Sequence, residues 1–128
     1  MDDRKRHQDG MQMRRKVLGD PHVDRAEAAK SEVDADFQDL ITRYAWGEIW
    51  TRPGLPPATR SLLTIGLLVA LNRGDELRMH LRAAANNGAT TEQIREVFLH
   101  CAIYCGVPAA NAAFHVAKEI WDDHGPKA

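Results

Sequence analysis

The 128-residue sequence has few of the features that mark export, membrane insertion or cross-linking. Its two cysteines, Cys101 and Cys105, lie four residues apart, which suits one helix face but neither a disulfide nor a usual zinc pattern. Its longest apolar run, 62–71, is shorter than the ~20 residues of a membrane span. Its polar first residues lack the ~7–15-residue apolar run of an export signal. We therefore expect a cytoplasmic protein.

Charge excess is also missing, since the formal net charge is −1. This balance provides no electrostatic attraction for nucleic acid or for an anionic membrane surface. The basic residues within 4–7 and 14–16 are interleaved with Asp2, Asp3 and Asp9, so we expect them to form a solvated helix face. No dinucleotide-binding, phosphate-loop or nucleophile-elbow motif is present. Charged residues at 27% and hydrophobic residues at 44% are ordinary for one globular domain.

The residue pattern predicts an all-α bundle of about six helices. Apolar residues recur three and four apart, no useful alternating pattern occurs, and glycines and prolines mark the helix ends. Thr90 and Gln93 match a capping box. The predicted helices cover 3–18, 34–50, 57–71, 74–88, 90–105 and 107–124, with a linker over 20–33. We expect a single domain, 1–128, with an N-terminal helix and linker over 1–30 and a helical core over 31–124.

Two of the predicted helices carry more apolar surface than one core-facing stripe requires. The run 62–71 is apolar all round, and Leu99 and Ile103 lie almost opposite the apolar face that contains Phe98. A helix that is hydrophobic on every side is buried on every side. In so short a chain, that burial predicts a homo-oligomer.

A possible acid–base pair lies on the fourth predicted helix. Glu76 and His80 are spaced i, i+4, so the carboxylate can hydrogen-bond the imidazole and raise its basicity. Such a pair is a common arrangement for a general acid or base. The same spacing is also typical of a helix-surface pair without function, and spacing alone leaves both interpretations open.

The stretch 43–50 combines aromatic and acidic residues. Trp46 and Trp50 are spaced i, i+4, which favours core packing, and Glu48 lies between them, where desolvation would raise the pKa of its carboxyl group. Arginines near helix ends and flanks, including Arg60 and Arg73, are candidates for bidentate binding of a carboxylated substrate.

Metal binding is the alternative interpretation of the histidine rows. Glu96 and His100 repeat the E-x3-H spacing, and Asn111, His115 and Glu119 form a third row. Di-iron bundles instead use Glu-x-x-His with further inward-facing glutamates, a motif that this sequence lacks. We therefore expect no metal site.

Four segments together resemble the carboxymuconolactone decarboxylase family: "RPGLP", "TRSLLTI", "LRMHLRAAANNG" and "GVPAANAAFH". The resemblance is dense over 43–121 and looser over 11–23. It implies the all-helical AhpD-like fold and assembly as a ring of subunits, often a hexamer built as a trimer of dimers. The peroxidase-type members of the wider group carry a C-x-x-C motif, but here Arg73 and Glu76 occupy the matching positions.

The resemblance implies decarboxylation of 4-carboxymuconolactone to β-ketoadipate enol-lactone and CO2, a step in protocatechuate catabolism, without a cofactor. The expected partners are thus a small lactone dicarboxylate and further copies of the chain. We infer that His80 is the proton donor or donates a hydrogen bond to the carbonyl oxygen, that Glu76 orients it, and that Glu48 is the alternative acid. Arg60 and Arg73 are the expected carboxylate binders, with Asn111 and His115 as weaker candidates. Trp46 and Trp50 are expected to form an apolar wall.

Two other classes of function remain open from the sequence. A thiol redox protein would need chemistry from Cys101 or Cys105, which we interpret as small core hydrophobes. A non-catalytic binding paralogue would keep the core and lose the site.

Overall fold

The structure is a computed structural model that describes residues 2–124, with side chains up to 121. Helices account for all of the regular secondary structure in that range, so the all-α prediction is confirmed. In chain order they are α1 (Asp3–Leu18), α2 (Asp20–Ala29), α3 (Ala35–Ile41), a π-helical segment (Thr42–Ile49), α4 (Pro57–Ala70), α5 (Gly74–Ala83), a 3₁₀ turn (Ala84–Asn87), α6 (Thr91–Tyr104) and α7 (Val107–His124).

The chain forms two compact units, Met1–Leu55 and Pro56–Ala128. The first unit contains α1, α2, α3 and the π-helical segment, and the second contains α4 to α7. The single-domain organisation stays a prediction.

The predicted linker over 20–33 is wrong for most of its length, because α2 occupies Asp20–Ala29. Gly19 adopts φ 91°, a conformation that glycine reaches without steric cost, and it ends α1. Pro21 then falls in the first turn of α2, where its missing N–H is harmless. The Gly-x-Pro pattern therefore ends one helix and begins the next.

The predicted helix over 34–50 changes its winding half way. It is α-helical from Ala35 to Ile41 and π-helical from Thr42 to Ile49. The Trp50 N–H donates to the Ala45 carbonyl at 2.9 Å, which is the i→i−5 pattern of a π-helix. Such segments are rare and frequently occur at functional sites.

The second unit is organised around the buried side chains of four helices. The Thr90–Gln93 capping box is present, since the Gln93 N–H donates to Thr90 Oγ1 at 3.1 Å and the Thr90 N–H donates to Gln93 Oε1 at 3.0 Å. Phe98 meets Phe114 edge to face at 5.1 Å between ring centroids. The largest members of the core are Ile65, Val69, Leu77, Leu81, Ile94, Phe98 and Ile120.

Across residues 2–124, no helix combines the length and the apolar character needed to cross a bilayer.

Candidate active site

His80 lies on α5 with its side chain buried. The residue is 7% exposed, and Leu77 and Leu81, which flank it on the helix, are also buried. Glu76, one turn earlier, is exposed. The helical spacing places the Glu76 and His80 side chains on one side of α5. Their pairing stays a prediction, but burial of the imidazole favours the site interpretation over an ordinary surface pair.

Arg73 stands at the entrance to α5 and lines a small apolar cavity of about 80 Å³. Its neighbour Asn72 adopts φ 58°, which is uncommon for a residue other than glycine. α7 contributes small residues to the cavity lining, including Ala109, Ala112 and Ala113. The cavity can hold a group of a few heavy atoms, because a water molecule in the liquid occupies ~30 Å³.

Arg73 directly precedes α5, and His80 lies seven residues later, within the helix. Seven residues correspond to a rise of ~10 Å along a helix.

Arg60 is half-buried on α4, and the next residue, Ser61, is fully buried. Within the described part of the chain, the Ser61 hydroxyl has no hydrogen-bond partner. A buried hydroxyl without a partner costs ~1–3 kcal/mol, so its retention is unusual. The sequence held no signal for this residue, since serine in a helix is commonplace.

The π-helical segment carries both tryptophans and Glu48. The rings of Trp46 and Trp50 lie 5.3 Å apart at 31°, and Trp46 is 7% exposed. Glu48 is not desolvated as the sequence suggested, because its side chain is 44% exposed and accepts from Arg6 Nε at 3.2 Å. Glu48 in turn raises the pKa of Arg6. Arg6 is 42 positions away, so local sequence gave no sign of the ion pair.

Asn111 and His115 are exposed on α7. Neither lines the Arg73 cavity, whose α7 wall is formed by neighbouring alanines and Val116. Their roles stay predictions.

The prediction that the basic residues of α1 form a solvated face is wrong for Arg14, which is only 5% exposed. Its Nη2 donates to Gln38 Oε1 at 3.0 Å, and its Nη1 lies 4.0 Å from Glu27 Oε1. Burial lowers the pKa of Arg14. Burial, followed by the charges of Arg14 and Arg25, also lowers the pKa of His22.

Comparison with known proteins assigns the chain to a family. The family model described as "Carboxymuconolactone decarboxylase family" matches residues 35–119. This chain belongs to the carboxymuconolactone decarboxylase family. All nine residues proposed above from the sequence fall within the matched range.

Two relatives match most of the chain. A 4-carboxymuconolactone decarboxylase of Acinetobacter baylyi is 52% identical over 125 residues, covering 98% of this chain and 93% of that protein. A nitrosuccinic acid decarboxylase of Metarhizium robertsii is 42% identical over 115 residues, covering 90% of this chain and 80% of that protein.

The two thiols behave differently within this family fold. Cys101 is buried as expected, but Cys105, the residue that follows α6, is exposed. Burial first, and then the neighbouring Cys105, raise the pKa of Cys101. A raised pKa depletes the thiolate, which is the nucleophile in thiol redox catalysis. The raised pKa of Cys101 therefore disfavours the redox alternative.

Proposed function

We propose that this chain decarboxylates 4-carboxymuconolactone to β-ketoadipate enol-lactone and CO2 without a cofactor, as a step in protocatechuate breakdown. The observation that carries the proposal is the 52% identity over 98% of the chain to the decarboxylase of that name. Buried His80 and the Arg73 cavity support it as the two chemical elements that the reaction needs.

The substrate contains its own electron sink. When CO2 leaves the γ-carbon, the bonding electrons move through the ring double bond into the lactone carbonyl and form a dienolate. Protonation of the dienolate at the α-carbon gives the enol-lactone. The protein therefore has to supply a proton, stabilise charge developing on the carbonyl oxygen and hold the acetate arm.

In this proposal, His80 donates the proton or donates a hydrogen bond to the carbonyl oxygen. Its burial supports the role, since a donor shielded from water interacts more strongly with developing charge. Glu76 orients the imidazole from the preceding turn. Glu48 is the alternative acid, although its ion pair with Arg6 favours His80.

Arg73 and Arg60 bind the carboxylate groups. Arg73, at the start of α5, has a long side chain that can reach towards a substrate held at His80. Asn111 and His115 are weaker candidates for the same task. Trp46 and Trp50 provide an apolar wall that removes water from the departing carboxylate, a role supported by their contact at 5.3 Å.

We further propose that the chain works in the cytoplasm as a ring-shaped homo-oligomer, with a hexamer assembled as a trimer of dimers. Leu99 and Ile103 support assembly, because they are 55% and 79% exposed on one side of α6. Replacing both with aspartate should reduce the mass measured by light scattering. Arg82→Asp, at an exposed position of α5, should leave that mass unchanged.

A second candidate substrate is nitrosuccinate, favoured by the 42% identical relative. A nitro group beside the scissile carboxylate would accept the electrons as the lactone carbonyl does. The same proton donor and carboxylate-binding arginines would serve both substrates.

The test is to mix the purified protein with each acid, with and without a chelator, and to measure CO2 release and the ultraviolet change. We expect chelator-insensitive turnover that is faster with the lactone. Faster turnover of nitrosuccinate would favour the second candidate. Failure to turn over either acid in the assembled protein would overturn both and favour a non-catalytic paralogue.

A further inference from the structure

The second unit contains a groove between α4 and α6 that the proposed reaction does not use. We name it the α4–α6 groove, and its volume is about 550 Å³. The α4 wall is entirely uncharged, whereas α6 and the residue that follows it contribute a carboxylate, an imidazole and two thiols. The lining residues are Leu62, Leu63, Gly66, Leu67 and Ala70 from α4, Glu96, Val97, His100 and Cys101 from α6, and Cys105 directly after α6.

Both cysteines of the chain line this groove. They are one helical turn apart, and the two thiols interact with each other. Cys101 is 7% exposed and its Sγ lies 3.9 Å from the Gly66 carbonyl oxygen, while Cys105 is exposed. One thiol is therefore at the floor of the groove and the other is at its surface.

We propose that Cys101 and Cys105 form a two-coordinate binding site for a soft monovalent cation, of which Cu(I) is the representative. Each thiol loses its proton and forms one bond to the ion, so one cation enters, two protons leave and the site gains one negative charge overall. No electron is transferred. The proposal does not depend on the proposed decarboxylation.

The choice of ion follows from the donor set. Soft thiolate ligands select Cu(I), whereas hard ions prefer carboxylate, carbonyl and water oxygens. No group of three or more histidine, cysteine or acidic side chains in the described part of the chain converges as a metal site. The pair thus offers two ligands, which is fewer than the four of a structural zinc site.

The surroundings determine how the site responds to pH. α4 presents no titratable side chain to the groove, so the titratable neighbours of the thiols are Glu96 and His100 on α6 itself. The His100 ring is stacked on Tyr104 at 4.7 Å. Because each thiol must lose its proton to bind the cation, affinity should increase with pH.

The experiment titrates the intact, reduced protein with Cu(I) under anaerobic conditions against a chromogenic Cu(I) chelator. We expect one ion per chain, with tighter binding at higher pH. Holding both ligands four residues apart on one chain makes formation of the second bond intramolecular, an advantage of roughly 10²–10⁴-fold. Cys105→Ser and Cys101→Ser should each therefore weaken binding by about 100-fold or more.

Cys105→Ser is the decisive variant, because this residue is exposed and its replacement leaves the core intact. His100→Gln is the matched control, since it alters the same groove without removing a thiol, and it should keep wild-type affinity. Wild-type affinity in Cys105→Ser, or two independent ions per chain, would overturn the proposal. A loss in His100→Gln equal to that in Cys105→Ser would also overturn the two-ligand site.

Discussion

Gly10 on α1 and Gly47 on the π-helical segment meet where the two helices cross. A Cβ atom on Gly10 would lie 2.9 Å from the Gly47 backbone nitrogen and would collide with the Thr42 carbonyl oxygen. A Cβ on Gly47 would collide with the Arg6 carbonyl oxygen. Backbone atoms cannot move aside as a flexible side chain can, so the crossing requires glycine on both helices.

Alanine at either glycine should therefore destabilise the first unit. We expect Gly10→Ala and Gly47→Ala each to lower the free energy of unfolding by at least ~1–3 kcal/mol, the usual cost of overpacking. Urea denaturation followed by circular dichroism measures this change. Gly54→Ala is the matched control, because its Cβ would meet open space and should not reduce stability. Equal stability of Gly10→Ala and Gly54→Ala would contradict the close crossing.

Removal of the His80 imidazole should abolish most of the activity. Loss of a general acid costs ~10²–10⁴-fold, so we expect His80→Ala to lower kcat/KM with the lactone by that factor. His100→Gln, which replaces an exposed histidine of the same unit, should leave kcat/KM unchanged. A His80→Ala enzyme within about threefold of wild type would exclude His80 as the donor.

Arg73 should affect substrate binding more than turnover. Charge-assisted hydrogen bonds contribute ~1.5–3 kcal/mol, so Arg73→Ala should raise KM by roughly 10–150-fold, with a smaller effect on kcat. Steady-state kinetics distinguish the two parameters. Arg82→Ala removes an exposed arginine from the same helix and should leave KM unchanged. An unaltered KM in Arg73→Ala would show that the cavity at α5 does not hold the substrate.

His22 should make the first unit less stable in mild acid. Its folded-state pKa lies below 6.5, chiefly because of burial. At a pH between the lowered pKa of the folded chain and the ordinary pKa of the unfolded chain, the unfolded chain binds more protons than the folded chain. The free energy of unfolding therefore rises with pH, and it decreases as pH falls through about 6.5.

The comparison for His22 uses urea midpoints at about pH 7 and about pH 5, which bracket the ordinary histidine pKa. We expect His22→Gln to reduce the loss of stability between them. Arg25→Gln removes only the smallest of the three causes and should reduce it less. A wild-type pH dependence in His22→Gln would refute this assignment.

Local patterns predicted those parts of the fold that local forces decide. The capping box at Thr90 and the proline start of α4 are within one helical turn, so the sequence predicted both. α2 was missed because Gly19 and Pro21 suit a helix start as well as a helix end. The π-helical winding was missed because the apolar spacing of 37–45 fits an α-helix equally well.

The candidate site was less predictable, because long-range contacts decide it. The family resemblance indicates His80 as a site residue, and His80 is buried in the structure. The i, i+4 spacing of Glu76 and His80 alone is equally compatible with a surface pair. Burial of Arg14 depends on Gln38 and Glu27 from other helices, and the pairing of Glu48 depends on Arg6. Helical periodicity describes one helix at a time and does not contain these partners.

The π-helical segment also implies a particular sensitivity to insertions and deletions. Each residue of an α-helix advances the helix by 100°. Deleting Gly47, which lies between the two tryptophans, would shorten their spacing from i, i+4 to i, i+3 and would turn Glu48 and Trp50 relative to the residues before the deletion. Trp50 would then leave its contact with Trp46, and the Arg6–Glu48 ion pair would lose its alignment. A single-residue gap here would therefore be more damaging than a gap in the proline-rich turn that follows.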